Sequence, residues 1–187
     1  MDRAIIAHKW NGSPTGDFIP WIRDYLSGEG FSVSVPEMPT TTIDAWVSSI
    51  SSAAGTPDLS TCLIGHDAGC QAIVRYLSTL QSGQEFRAAF LVAPWTRLDG
   101  NNDEGIKQWV NEPIDWNAAK VHARRFVVIY SDNDSIVPVE NSEMFGKLLN
   151  AELVLDSGRR HFSDEDDVTQ LPSLAKAISE SYHENEN

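Results

Sequence analysis

Three residues of the types that together perform nucleophilic catalysis stand far apart in the chain: Asp67, Asp134 and His161. Asp67 is the centre of Gly65-His66-Asp67-Ala68-Gly69, the Gly-x-nucleophile-x-Gly spacing of an elbow where a strand turns sharply into a helix. The two glycines relieve crowding around a strained central residue, whose side chain is then held above the sheet edge. The amide of Ala68 can point from the helix N-terminus toward a developing oxyanion. Asp134 lies in Ser131-Asp132-Asn133-Asp134-Ser135-Ile136-Val137-Pro138, directly after an apolar run. A carboxylate there can orient a histidine and stabilise its cation; Asp132 is the second choice. His161 comes later, giving the order nucleophile, acid, histidine.

Those positions need strands to end at them. Arg3–Ala7, Phe31–Val35, Thr61–Ile64, Ala88–Val92, Phe126–Tyr130 and the shorter Leu153–Leu155 read as strands. Between them Phe18, Trp21, Ile22, Tyr25 and Leu26 fall at helical spacing, with Gly28 and Gly30 ending that helix. Ile43, Trp46, Val47 and Ile50 mark a second helix, Ile73, Val74, Leu77 and Leu80 a third, and Leu171, Leu174, Ala175 and Ile178 a last one. Strands apolar on both faces and alternating with helices imply a parallel sheet covered on two sides. Sites in such sheets lie at the carboxyl ends of the strands, where Asp67, Asp134 and His161 all fall. Trp95 to Asn117 is the least regular stretch, with Gly100–Asp103 as a turn, and reads as a loop or short helix overhanging the site.

The combination resembles the small cap-less α/β-hydrolases of the retinoblastoma-binding protein 9 and YdeN type. The resemblance runs along nearly the whole chain, from His8-Lys9-Trp10-Asn11-Gly12-Ser13-Pro14 and Pro20-Trp21 through Gly65–Cys70 with Arg75-Tyr76-Leu77. It continues through Val92-Ala93-Pro94, Asp132 to Pro138, and His161-Phe162 with the acidic stretch and Leu171-Pro172 beyond. It implies a single α/β-hydrolase domain over 1–187, a three-layer sandwich with a mostly parallel sheet. It also implies serine-hydrolase chemistry on small esters. Asp67, Asp134 and His161 become the catalytic trio, Ala68 and Lys9 the oxyanion-hole positions, and His8, Trp10 and Trp95 the substrate-binding candidates. Three positions depart from the pattern. Asp67 replaces the family's serine, Lys9 replaces the glycine that commonly follows the first-loop histidine, and Arg159 and Arg160 replace small residues before His161.

An aspartate at the elbow leaves several chemistries open. It can attack a saturated carbon, as in hydrolases of alkyl halides or epoxides, with the histidine activating water against the resulting ester. Attack on an acyl carbonyl would give an anhydride, and its charge would repel the oxyanion, so a catalytically silent binding protein is the competing reading. Ser13 and Ser135 lie on candidate site loops but not on an elbow. His66 is expected to pack beneath the elbow, whereas His122 and His183 read as surface residues.

Composition narrows the partners. A net charge of −13 over 187 residues argues against nucleic acid or an anionic membrane, leaving a small-molecule substrate and room for a protein partner. The acidic runs Asp164–Asp167 and Glu184–Asn187 read as solvated surface. No cofactor or metal is expected: no histidine pair has convincing metal-ligand spacing with a carboxylate, and no glycine-rich phosphate loop follows the first strand. Cys62 and Cys70 read as core residues, and the start of the chain lacks secretory-signal features, so the cytoplasm is the expected compartment.

Overall fold

The computed structural model describes residues 1–38, 42–98 and 104–183; Pro39, the turn expected at Gly100–Asp103 and the acidic tail Glu184–Asn187 lie outside them. Among the described residues six strands form one sheet: β1 (Arg3–Ala7), β2 (Ser32–Ser34), β3 (Thr61–His66), β4 (Phe86–Val92), β5 (Ala123–Tyr130) and β6 (Glu152–Leu155). Their order is β2-β1-β3-β4-β5-β6, and every pairing is parallel. The expected mostly parallel sheet is therefore wholly parallel among the described residues. β3 is buried at every residue, as a central strand covered on both faces must be.

Side chains alternate along each strand, so neighbours enter different cores. Ile5 and Leu63 join one cluster with α2 (Ile43–Ala54), α3 (Ala68–Leu77), α4 (Glu104–Asn111), α5 (Trp116–Ala119) and α6 (Val139–Leu149). Ala4, Ile6, Cys62 and Ile64 join the other with α1 (Ile19–Gly28) and α7 (Pro172–His183). This is the three-layer α/β-hydrolase architecture. Cys62 and Cys70 are both buried and unbridged, and burial pushes the Cys62 thiol up to about 12. No helix among the described residues is long and apolar enough to cross a membrane.

Two elements differ from the sequence reading. α6 has no counterpart in it, because only Phe145, Leu149 and the small Ser142 and Gly146 are buried, too thin an apolar stripe to mark a helix by period. Its presence completes the β5-to-β6 crossover that a parallel pair requires. β2 is three residues long rather than five; it is the sheet's edge, paired among the described residues to β1 alone.

The register brings the strand ends level. Ala7 pairs with Gly65, His66 with Val92, Val92 with Ile129, and Tyr130 with Leu155. Strands β1, β3, β4, β5 and β6 thus deliver their following loops to one edge. α3 leaves that edge pressed against β1: a methyl group on Gly69 would lie 2.3 Å from the Ala7 carbonyl oxygen. Backbone cannot yield there. Gly69→Ala is expected to destabilise the protein by about 3 kcal/mol and lower its melting temperature by about 6–12 °C. Gly28→Ala, where nothing lies within 4 Å, is expected to be neutral or to stabilise by about 0.5 kcal/mol. Thermal unfolding followed by circular dichroism compares the two.

Candidate active site

Asp67 joins β3 to α3 with φ 54° and ψ −118°, a region costing about 1–3 kcal/mol for a residue with a side chain. Gly65 makes it feasible, since a methyl group there would stand 2.8 Å from the backbone of Cys70. The amide of Asp67 donates to the Val92 carbonyl at 2.9 Å, and its carbonyl accepts the amide of Cys70 at 3.0 Å, pinning the turn on both sides. Asn11, Asp17, Ala93, Arg160 and Phe162 also have positive φ. All lie in loops at the carboxyl edge of the sheet, so backbone strain collects around the site.

The Asp67 carboxylate is buried, and its two oxygens have different partners. Oδ2 accepts the backbone amide of Trp10 at 2.8 Å. Oδ1 accepts the Trp95 indole Nε1–H at 2.5 Å and lies 3.7 Å from His161 Nε2. The first-loop amide that reaches the carboxylate is thus that of Trp10, one residue beyond Lys9; Ala68 begins α3 immediately behind Asp67.

His161 is clamped from its other ring nitrogen, Nδ1, 2.9 Å from Asp134 Oδ2. Asp134 Oδ1 accepts the amides of Ile136 and Val137 at 2.8 and 2.9 Å, so the carboxylate is fixed before it meets the ring. Asp132 faces elsewhere, accepting from Ser157 Oγ and the Gly158 amide. It ties the histidine's loop to the acid's loop, as do Ser131 and Asn133 through the amides of Arg159 and Arg160. Burial disfavours the His161 cation, but the hydrogen bond to Asp134 and the charges of Asp67 and Asp134 outweigh it, and the pKa of His161 is raised.

Beneath the elbow lies a polar cluster the sequence reading missed in part. His66 is fully buried, with Nε2 2.9 Å from the His161 carbonyl oxygen and Nδ1 3.6 Å from Asp17 Oδ2, in keeping with its expected place. Asp17 Oδ1 accepts the Asp164 amide at 3.1 Å and Lys9 Nζ at 2.9 Å. The same Lys9 Nζ reaches Glu165 at 3.0 Å. The Lys9 side chain therefore spans from the buried Asp17 to an exposed carboxylate. Asp166 Oδ2 accepts the His161 amide and the Ser163 hydroxyl, so part of the acidic run read as bare surface holds the histidine's loop. Hydrogen bonds and the opposing charges hold the Asp17 carboxyl well below the usual carboxylate range, against the pull of its burial.

A cavity of about 240 Å³ opens onto Asp67 and His161, walled by Trp10, Leu98, Ile106 and Ile136 and rimmed by Lys9, Asn11 and Glu165. Of the substrate-binding candidates, Trp10 alone lines it. His8 is buried, with Nδ1 2.9 Å from the Lys9 carbonyl oxygen and its ring edge-on to Trp46. Trp95 is fully buried behind Asp67. Neither lines the cavity: packing turns the ring of His8 toward Trp46 and sets the indole of Trp95 against the Asp67 carboxylate. Ser13 and Ser135 line no part of this cavity. His122, read as surface, is buried with Nδ1 2.7 Å from the Gln84 carbonyl oxygen; the side chain of His183 lies outside the described ones.

Gln71 and Arg75 are buried polar residues; the sequence reading passed over the first and named the second only within the family pattern, with no role. They follow Asp67 at intervals of four, the spacing of one helix face, and that is the signal that could have found them. Half-buried Asn141 on α6 is another polar residue without a role in the sequence reading, its Oδ1 accepting the amides of Thr96 and Arg97 and fixing the loop beyond Trp95.

A family model described as Serine hydrolase matches residues 4–180. YdeN of Bacillus subtilis (strain 168) is 25% identical over 180 residues, which are 95% of this chain and 94% of that protein. Serine hydrolase RBBP9 of Rattus norvegicus is 25% identical over 178 residues, 93% of this chain and 87% of its own. The crystal structure of the ydeN gene product superposes with a TM-score of 0.91 at 24% identity, covering 97% of this chain and 99% of that one. Est1E from Butyrivibrio proteoclasticus superposes at 0.74 with 17% identity, covering 97% and 88%.

Asp17→Asn is expected to cost about 3 kcal/mol at pH 7, by removing the buried charge partner of Lys9 and leaving it only the exposed Glu165. A carboxyl with a depressed folded pKa stabilises above its unfolded pKa of about 3.9 and loses that contribution as pH falls through the folded value. The gap between native chain and variant in urea unfolding is therefore full at pH 7 and narrower at pH 3.

Proposed function

Because the chain belongs to the serine hydrolase family and carries Asp67 at the elbow, we propose a hydrolase that works through an alkyl-enzyme ester on Asp67. Its substrates carry a leaving group, such as a halide or an epoxide oxygen, on a saturated carbon. The observation carrying this reading is the hydrogen bond from the Trp10 amide to Asp67 Oδ2. In a serine esterase such an amide polarises the substrate's carbonyl. Here the carboxylate itself occupies the amide, so an acyl substrate would lack that donor.

Displacement at saturated carbon makes no demand on that amide in its first step. Asp67 Oδ1 attacks carbon, the C–O bond forms, and the carbon–halogen bond breaks with the electron pair leaving as halide; an epoxide opens to an alkoxide. In the second step water adds to the carboxyl carbon of Asp67, and Oδ2 becomes the oxyanion, already on the Trp10 amide. His161 accepts the water's proton, with Asp134 holding its ring and stabilising the cation.

The charge of Asp67 also times the base. While Asp67 is ionised it raises the pKa of His161. Esterification removes that charge, and the imidazole becomes easier to deprotonate when a base is needed. The cavity of about 240 Å³ and its apolar wall favour short, weakly polar substrates.

Replacing His161 with Ala is expected to slow hydrolysis of the ester at least about 10²-fold while leaving alkylation, so intact mass shows Asp67 carrying the alkyl group. Fluorophosphonate is expected to label Asp67→Ser and not the native chain. An unlabelled serine variant together with no adduct across alkyl halides and epoxides would sink the reading in favour of a hydrolase-fold binding protein.

The pH dependence follows from the same groups. Hydrolysis of the ester is expected to rise with pH as His161 loses its proton. Asp134→Asn is expected to move that apparent pKa downward, because the carboxylate that still raises it once Asp67 is esterified is gone. Single-turnover rates between pH 5 and 9 measure both.

A further inference from the structure

Trp95 is fully buried, yet its indole N–H is aimed at the reacting carboxylate, 2.5 Å from Asp67 Oδ1. Oδ1 is the oxygen nearer His161 Nε2, whereas Oδ2 belongs to the Trp10 amide. The two oxygens are therefore not interchangeable, and an alkyl group taken up by Asp67 sits on Oδ1.

The indole is aimed by an unbroken run of buried polar groups. The Trp95 carbonyl accepts Gln71 Nε2–H at 3.0 Å. Gln71 Oε1 accepts Arg75 Nη2–H at 3.2 Å. Arg75 in turn donates to the carbonyls of Trp109, Glu112 and Pro113 at 3.2, 2.8 and 3.1 Å, at and beyond the carboxyl end of α4. A guanidinium is costly to bury unless its donors are met; here carbonyls at the negative end of a helix meet those of both Nη atoms, while Nε is buried without a hydrogen-bond partner among the described residues. Gln71 and Arg75 share one face of α3, and Asp67 stands at its N-terminal cap, so one elbow and its helix carry both the carboxylate and the groups that hold its indole partner.

Resting on the alkyl-enzyme reading of Asp67, we propose that Trp95 is a catalytic hydrogen-bond donor for ester hydrolysis, with Gln71 and Arg75 as the positioning residues that aim it. After water adds to the carboxyl carbon, the tetrahedral intermediate collapses by breaking the bond between that carbon and Oδ1. Oδ1 leaves with the alkyl group as an alkoxide, takes the proton held by His161, and departs as an alcohol. The oxygen from water stays on Asp67. Charge develops on Oδ1 as the bond breaks, and the Trp95 N–H points at that atom. The indole transfers no proton; it stabilises the departing oxygen until His161 protonates it.

The same contact acts oppositely in the first step, where a donor on Oδ1 draws electron density from the nucleophile. Removing the indole N–H is therefore expected to leave alkylation unchanged or a few-fold faster, and to slow hydrolysis by about 10². A merely structural tryptophan would lower both together.

The test is a quenched-flow series on the native chain and on Trp95→Phe with 1-bromobutane, with alkyl-enzyme quantified by intact mass and butanol by chromatography. Support is an alkyl-enzyme that accumulates in the variant, with only the hydrolysis rate constant depressed; Gln71→Ala is expected to move that same constant in the same direction. Equal loss in both half-reactions, or unchanged hydrolysis, overturns the assignment. Should Trp95→Phe not fold, the indole region of a proton–nitrogen spectrum of the native chain serves instead. One of six indole signals is expected far downfield and to shift upfield in Asp67→Ser; absence of that shift overturns the assignment as well. If neither the native chain nor His161→Ala forms an adduct, the alkyl-enzyme reading fails and this assignment with it. If His161→Ala forms one and Trp95→Phe hydrolyses normally, the role of Trp95 alone is refuted.

Discussion

The backbone at Asp67 is forced through φ 54° and ψ −118°, and the arrangement of the carboxyl edge follows from that turn. It exists only where two neighbours lack side chains: Gly65, against Cys70, and Gly69, against the carbonyl of Ala7. The second contact seats α3 on β1 closely enough for the loop after β1 to bring the Trp10 amide to the carboxylate. Strain at Asp67 is offset by its two backbone hydrogen bonds and by the fully buried strand behind it. A looser packing of α3 would relieve the turn and separate the amide from the carboxylate together.

Around that turn, charge is arranged so that each carboxylate has one task. Asp134 has its Oδ1 committed to two backbone amides and offers Oδ2 to His161. Asp17 lies below, held by Lys9 and the Asp164 amide. Asp67 faces the cavity between them. Asp67 and Asp134 both approach His161, and Asp17 approaches His66; amides, an ammonium and an indole share these carboxylates out. Under the proposed mechanism this division separates nucleophile, ring holder and scaffold.

The crossovers explain how distant segments become mutually dependent. α4 contributes Ile106 to the cavity wall, and its end receives Arg75 from α3. α6 places Asn141 on the loop that carries Trp95. The loop from 156 to 167 is laced to the loop after β5 through Ser131, Asp132 and Asn133. Asn141, Ser131, Asp132 and Asn133 all accept backbone amides, whereas Arg75 donates to backbone carbonyls; both bonds fix irregular chain without regular secondary structure.

The parallel sheet, its two-sided burial, the elbow at Asp67 and the chain order of Asp67, Asp134 and His161 are all legible in the amino-acid sequence. They rest on local pattern: apolar runs bounded by turns, glycines flanking one residue, and polar residues just beyond strands. α6 was illegible because its buried stripe is small residues and two large ones, and a period needs more apolar points than that. His8, Trp95 and Lys9 show the other limit. Sequence places each near the strand ends, but whether a side chain enters the cavity depends on a rotamer chosen by neighbours from other elements. Trp46 takes the edge of His8, Asp67 takes the N–H of Trp95, and Asp17 and Glu165 take the ammonium of Lys9. The choice of Asp134 over Asp132 is of the same kind, decided by which carboxylate the amides of Ile136, Val137 and Gly158 capture. Chain order fixed which residues meet; long-range hydrogen bonds, which no local pattern encodes, decided which atoms face each other.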